Sequence, residues 1–174
     1  MFSKKMGSIQ ESTDLIVLPE MFSTGFTMNV ENLAEKEPGT TLSWMQKEAV
    51  KNQAAIMGSC IILDNGSYFN RMYFVYPNTE YVKYDKRHTF TLANEHKTFA
   101  SGKERININY LGWNIFPLIC YDLRFPVWSR NTSDYDLLIY VASWPERRSS
   151  AWDALLKARA IENMCYTIGV NRVG

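Results

Sequence analysis

Along this chain apolar residues recur either at helical spacing or in short unbroken runs, and the two patterns alternate several times. Phe2, Met6 and Ile9 stand at helical spacing and predict an amphipathic helix ending near Glu11. After Asp14, the unbroken run Leu15-Ile16-Val17-Leu18 has the pattern of a strand buried on both faces. Pro19 stops that run, with Glu20 at its mouth. Pro38-Gly39 marks a turn, and Thr40 or Thr41 is the expected cap of a helix carrying Leu42, Met45 and Ala49. Strands are predicted over 54–63 and 71–75 with a turn at Asn65-Gly66, and over 81–84, ending at Asp85-Lys86. A hairpin over 107–110 and 113–119 turns at Leu111-Gly112 and runs straight into Cys120. Residues 137–141 form a further apolar strand. Residues 150–163 form a long amphipathic helix with Trp152, Leu155, Leu156 and Ile161 apolar, and 166–170 a closing strand. Strands alternating with helices predict an α/β fold in which helices cover sheet.

Composition narrows the class. The 174 residues fit one domain, with no repeat, low-complexity tract or polar linker to divide it. Nineteen basic residues against 18 acidic leave no basic stripe for a nucleic acid. No apolar run approaches the ~18–20 residues of a membrane span, and the first residues lack the apolar stretch of a secretion signal. Three cysteines, Cys60, Cys120 and Cys165, make no paired framework, which favours a reducing cytoplasm and leaves room for one working thiol. Only two histidines occur, His88 and His96, and no Cys/His set has zinc-like spacing, so neither metal nor cofactor is expected.

Three reactive residues share one local setting. Glu20, Lys86 and Cys120 each follow an apolar strand where the chain turns, and sites in α/β sheets assemble at such strand ends. A carboxylate can take a thiol proton, and an ammonium lowers a thiol pKa and stabilises an oxyanion. Singly, each has a plainer reading: a structural cysteine, a solvated lysine, a capping glutamate. Cys60 and Cys165 have no acid or base at a strand end beside them and read as core.

The blocks Leu18-Pro19-Glu20-Met21-Phe22-Ser23-Thr24-Gly25-Phe26, Tyr84-Asp85-Lys86-Arg87-His88, Leu118-Ile119-Cys120-Tyr121-Asp122-Leu123-Arg124-Phe125-Pro126 and Ala158-Arg159-Ala160-Ile161-Glu162-Asn163 closely resemble those of the nitrilase superfamily of carbon–nitrogen hydrolases. The resemblance runs from about Asp14 to the end of the chain. It implies a four-layer α-β-β-α sandwich that forms a homodimer or higher homo-oligomer. It also implies that Glu20 is the general base, Cys120 the nucleophile, and Lys86 with the backbone N–H of Tyr121 the oxyanion donors. Glu95, which follows the lysine in a segment closing on Gly102, matches the family's further glutamate; its plainer reading is a surface loop charge. By the same resemblance one strand would precede Met1 and others would follow Gly174, so the chain reads as one domain incomplete at both ends.

The runs around Lys86 and Cys120, with Ala-Ser-Trp-Pro-Glu-Arg-Arg at 142–148, most resemble the bacterial omega-amidase branch. That branch hydrolyses 2-oxoglutaramate and 2-oxosuccinamate to the 2-oxo diacid and ammonia, so the implied partners are a small amide and water. Arg148 could clamp the substrate carboxylate, with Trp144 and Phe125 as pocket walls; Arg124 is expected to pair with a buried acid near the nucleophile turn. Ala151 stands where many amidase relatives carry a histidine. Other readings stay open: a carbamoylase or aliphatic amidase, a Cys–His hydrolase using His88 or His96, or an inactive fragment serving as an interaction module.

Overall fold

A computed structural model describes residues 2–173. The first helix, α1 (Phe2–Met6), buries Met6 and stops there. Gly7 and Ser8 close its last turn onto the carbonyls of Ser3 and Lys5. The helix therefore does not reach Glu11, and Ile9 is exposed. Strand β1 (Leu15–Val17) pairs in parallel with the long β3 (Ala55–Asp64). Its residues are half-buried rather than buried on both faces, because among the described residues β1 ends its sheet and has one neighbour. After α2 (Val30–Leu33), the short β2 (Glu35–Lys36) pairs with the far end of the same edge of β3.

Helix α3 (Thr40–Asn52) follows. No threonine side chain caps it. The Glu35 carboxylate does so from outside, accepting the Thr41 N–H at 2.8 Å and the Thr41 hydroxyl at 2.5 Å. Charge near a helix N-terminus is favourable, so a carboxylate serves as well as a hydroxyl. The turn at Asn65-Gly66, with φ of 48° and 76°, then leads into β4 (Ser67–Val75) antiparallel to β3, and β5 (Tyr81–Asp85) pairs antiparallel to β4.

The second half builds another sheet. After α4 (Glu95–Thr98), β6 (Ile108–Tyr110) and β7 (Trp113–Ile119) form the expected hairpin. The short α5 (Pro126–Ser129) precedes β8 (Leu137–Ala142), and α6 (Ser149–Asn163) carries the chain back to β9 (Tyr166–Asn171), so that β7, β8 and β9 run parallel.

Period-two alternation sorts side chains between layers. On β4, Tyr73 and Val75 face α3 together with Ile56 and Cys60 of β3, while Met72 and Phe74 face the other way. They share the space between the sheets with Ile115 and Ile119 of β7 and Ile139 and Val141 of β8, while Phe116, Leu118, Leu138 and Tyr140 alternate onto the opposite face. Trp152, Leu155 and Leu156 of α6 cover the outer face of the second sheet. The order is helix, sheet, sheet, helix, as the family resemblance implies. Each fully buried large apolar side chain contributes about 1.5–3 kcal/mol of transfer free energy. Ile161 departs from the reading of α6: nine residues beyond Trp152 it sits about half a turn round the helix, and it is 77% exposed. Among the described residues no helix is long and apolar enough to cross a membrane.

Candidate active site

Backbone hydrogen bonds aim each reactive side chain. Beyond β1 the chain stays tied to β3: Leu18 N–H to the Met57 carbonyl, Met21 N–H to Ser59 Oγ at 2.9 Å, and Phe22 N–H to the Ser59 carbonyl. This ladder turns Glu20 into the space between the sheets, where it is 2% exposed. Lys86 is pinned on both sides, its N–H to the Asn70 carbonyl at 3.0 Å and its carbonyl to the Gly102 N–H at 2.8 Å. Cys120 opens a 3-10 turn over Cys120–Arg124 with φ of 44°. A non-glycine residue in that left-handed region is costly and marks sites where surroundings enforce the backbone.

Asp122 does the enforcing. Wholly buried, it accepts the Ile119 N–H at 3.1 Å, the Tyr84 hydroxyl at 2.7 Å, the His88 N–H at 2.9 Å and His88 Nδ1 at 2.8 Å. One carboxylate thus joins the nucleophile turn to the segment on either side of Lys86. Arg159 of α6 adds a bond from its guanidinium to the Leu123 carbonyl at 2.7 Å.

The side chains then meet. Lys86 Nζ donates to Glu20 Oε1 at 2.8 Å and to Glu95 Oε1 and Oε2 at 3.0 and 2.9 Å. Asn70 Nδ2 donates to the same two Oε1 atoms, at 2.9 Å to Glu20 and 3.3 Å to Glu95. The other Glu20 oxygen, Oε2, accepts the Ser143 N–H at 2.9 Å from the end of β8. Glu95 is no surface charge: it is fully buried, and Phe90 N–H also donates to it.

Electrostatics follow from enclosure. Burial pushes the Cys120 thiol well above its usual range and the Glu20 carboxylate adds to that, while the Lys86 ammonium and the Ser143 N–H pull it down. Burial works against the Lys86 ammonium, but Glu20 and Glu95 overcome it and hold the charge. Glu95 is raised, by burial first, against the pull of Lys86. The resting thiol therefore keeps its proton until a base removes it.

Above Cys120 lies a cavity with about 480 Å³ of empty space. Lys86, Cys120, Tyr121 and Ser143 form its floor; Phe26, Phe90, Trp144 and Pro145 line it together with two guanidinium groups, Arg124 and Arg148. Arg124 lies over the Trp144 ring at 5.0 Å and Arg148 over the Phe90 ring at 5.3 Å. Among the described residues no acidic side chain lines the cavity. Trp144 is fixed by its indole N–H on the Arg148 carbonyl and by Asn171, whose amide bonds both its N–H and its carbonyl.

Of the residues singled out from sequence, Glu20, Lys86, Glu95 and Cys120 come together, and Tyr121, Trp144 and Arg148 line the cavity. Phe125 does not: it stacks on His88 at 3.7 Å, behind the wall. The expectation for Arg124 is reversed, since the buried acid of that turn is occupied by Tyr84 and His88 and the arginine is free to face the cavity. His88 is turned to Asp122 and His96 is exposed, so neither histidine lines the cavity. Among the described residues no group of three or more His, Cys, Asp or Glu could hold a metal ion. Sequence reading missed Asn70, hidden mid-strand, and Ser143, which acts through its backbone. The asparagine did leave a signal: a polar residue where alternation calls for an apolar one.

A buried thiol beside a carboxylate and an ammonium, between two sheets covered by helices, defines a site for nucleophilic attack by sulfur. Residues 3–174 match the family model described as carbon–nitrogen hydrolase. The chain is 48% identical to the omega-amidase YafV of Yersinia enterocolitica, over 99% of this chain and 67% of that protein, and 48% identical to its Escherichia coli K12 counterpart, over 92% and 62%. A 2-oxoglutaramate amidase of Bacillus subtilis is 37% identical over 92% of this chain and 64% of that protein. Among solved structures, a CN-hydrolase superfamily protein of Xanthomonas campestris with an arsenic adduct in its active site superposes with a TM-score of 0.96 at 41% identity, covering 99% of this chain and 68% of that one. The chain belongs to the carbon–nitrogen hydrolase family of the nitrilase superfamily. It spans about two-thirds of the length of the curated relatives named here.

Proposed function

We propose that this chain is the nucleophile-bearing part of an omega-amidase that cleaves the terminal amide of a small 2-oxo acid amide, 2-oxoglutaramate or 2-oxosuccinamate. The observation that carries the reading is one buried cluster in which Glu20 and Lys86 flank Cys120 beneath a cavity bearing two arginines. Identity to proteins named omega-amidase and 2-oxoglutaramate amidase supports the substrate class.

The chemistry runs as follows. Cys120 Sγ attacks the amide carbonyl as Glu20 Oε2 takes the thiol proton. Lys86 and the Tyr121 N–H hold the oxyanion, where loss of one donor typically costs ~10²–10³ in rate. The carbon–nitrogen bond breaks as Glu20 returns the proton to the departing ammonia, leaving a thioester on Cys120. Water, deprotonated by the same carboxylate, opens the thioester to the diacid and restores the thiol. Glu95 keeps Lys86 charged and aimed. At the other end of the substrate, Arg148 and Arg124 meet the carboxylate and 2-oxo group, an anion-binding role suited to guanidinium forks held on aromatic rings. Trp144 walls the channel.

The test is mass spectrometry of the protein trapped with 2-oxoglutaramate. An acyl adduct on Cys120, absent in Cys120→Ala, is expected; turnover by Cys120→Ala would overturn the reading. Arg148→Ala should raise KM for 2-oxoglutaramate more than for a simple aliphatic amide, and a panel with N-carbamoyl amino acids separates the carbamoylase alternative. The free thiols suit a cytoplasmic enzyme. Exposed Val127 on α5 and Ile161 on α6 suit a homodimer face, which sedimentation would reveal.

A further inference from the structure

The inner face of β4 carries an exception to its own pattern. Met72 and Phe74 are apolar and buried in the core between the sheets, and period-two alternation puts residue 70 on the same face. Asparagine is disfavoured in strands, and this one is 1% exposed. Its amide is only half satisfied: Nδ2 donates to Glu20 Oε1 at 2.9 Å and Glu95 Oε1 at 3.3 Å, while the buried Oδ1 has no hydrogen-bond partner among the described residues. An unpaired buried acceptor is destabilising, and a leucine of similar volume would avoid it. What the asparagine adds is its donor.

That donor completes a ring. Lys86 Nζ and Asn70 Nδ2 each bond both Glu20 Oε1 and Glu95 Oε1, so two carboxylates are held by one cation and one neutral amide. The ring saturates Oε1 of Glu20 with two donors. Oε2 takes only the Ser143 N–H, the same backbone group that bears on Cys120, and so keeps capacity to accept a proton. A reversed amide would aim Oδ1 at two carboxylate oxygens, so electrostatics permits one orientation.

We infer that Asn70 is a positioning residue for the reaction: its amide tethers Glu20 to Glu95 and thereby presents Glu20 Oε2, and no other oxygen, to the thiol. Asn70 touches neither substrate nor sulfur; it acts through Glu20. The inference rests on the reading of Glu20 as the base. Removing a donor to the charged form makes a carboxylate hold its proton to higher pH, so the acid limb of the rate profile should move upward with the variant. A merely structural asparagine would leave that limb in place.

The experiment compares Asn70→Leu, which keeps volume without a donor, with Asn70→Ser, which keeps a hydroxyl donor. The readouts are kcat, KM and the pH profile on 2-oxoglutaramate, together with iodoacetamide alkylation of Cys120 against pH, which needs no turnover. Asn70→Leu should lose roughly ten- to a hundredfold in kcat, the scale of a hydrogen bond to a charged group, with little change in KM. Its deficit should be larger in mild acid than in mild alkali, and Asn70→Ser should recover part of it. A folded Asn70→Leu with the parent's acid limb in both assays would overturn the inference. Should Asn70→Leu fail to fold, Asn70→Ala, which removes the donor with less bulk, decides: a displaced limb supports the tether and a parental limb refutes it. Activity in Cys120→Ala would sink the underlying amidase reading instead, so the two failures are distinguishable.

Discussion

Cys120 is held in a conformation few residues adopt, with φ of 44°, and its thiol is raised first by burial and then by Glu20. A raised thiol pKa means less thiolate at any given pH than an ordinary cysteine carries. Alkylation by iodoacetamide, followed by peptide mass mapping, should therefore be slower at Cys120 than at a free thiol at neutral pH. It should keep climbing beyond the ordinary thiol value of 9.0, where a model thiol levels off; a plateau below that value would contradict the assignment. Glu20, Lys86 and Cys120 were legible in sequence because each ends an apolar strand at a turn, a setting in which a reactive side chain stands out. Arg124 was misread because partner choice is a matter of geometry: Asp122, two residues before it, is filled by donors from around Lys86. Ser143 was invisible, since a backbone N–H is supplied by every residue but proline and only its placement gives it a role.

Beyond Glu95 the chain returns to the site, laying Gly102 directly on the Asp85–Lys86 peptide. Gly102 N–H bonds the Lys86 carbonyl, and a Cβ at residue 102 would overlap the Asp85 carbonyl oxygen. Backbone cannot swing aside as a side-chain tip can. Gly102→Ala should displace Lys86 and lower kcat by about tenfold or more, misplacements near 1 Å costing up to ~10²; kinetics beside a thermal melt would check it, and an unimpaired kcat would contradict it. Elements were read well where turn chemistry is local, as at Asn65-Gly66 and Leu111-Gly112. They were read poorly where a tertiary neighbour decides, as for the Glu35 cap of α3 and the early end of α1. Periodicity placed Ile161 on an apolar helix, yet the helix turns only one face to the sheet.

Neither sheet holds a working site alone. Glu20 and Lys86 belong to the first sheet, Cys120 and Ser143 to the second, and the bonds from Glu20 to Ser143 and from Asp122 to Tyr84 and His88 span the gap. Phe74, 1% exposed in the core between them, keeps the two at their spacing. Phe74→Ala should cost about 3–5 kcal/mol, measured by denaturant titration, with activity falling before the fold is lost as the halves loosen; full activity right up to unfolding would argue against that role. The layer order was readable from strand and helix patterns together with the four blocks. The spacing between sheets was not, because it is set by packing rather than by any local run.

Dividing the site between two sheets has a consequence in time as well as in space. A nascent chain that has emerged only as far as Gly102 carries Glu20 and Lys86 but not Cys120, and the cysteine arriving later is an unremarkable thiol until the halves close on it. Base, cation and sulfur thus stand together only in molecules whose two sheets have closed.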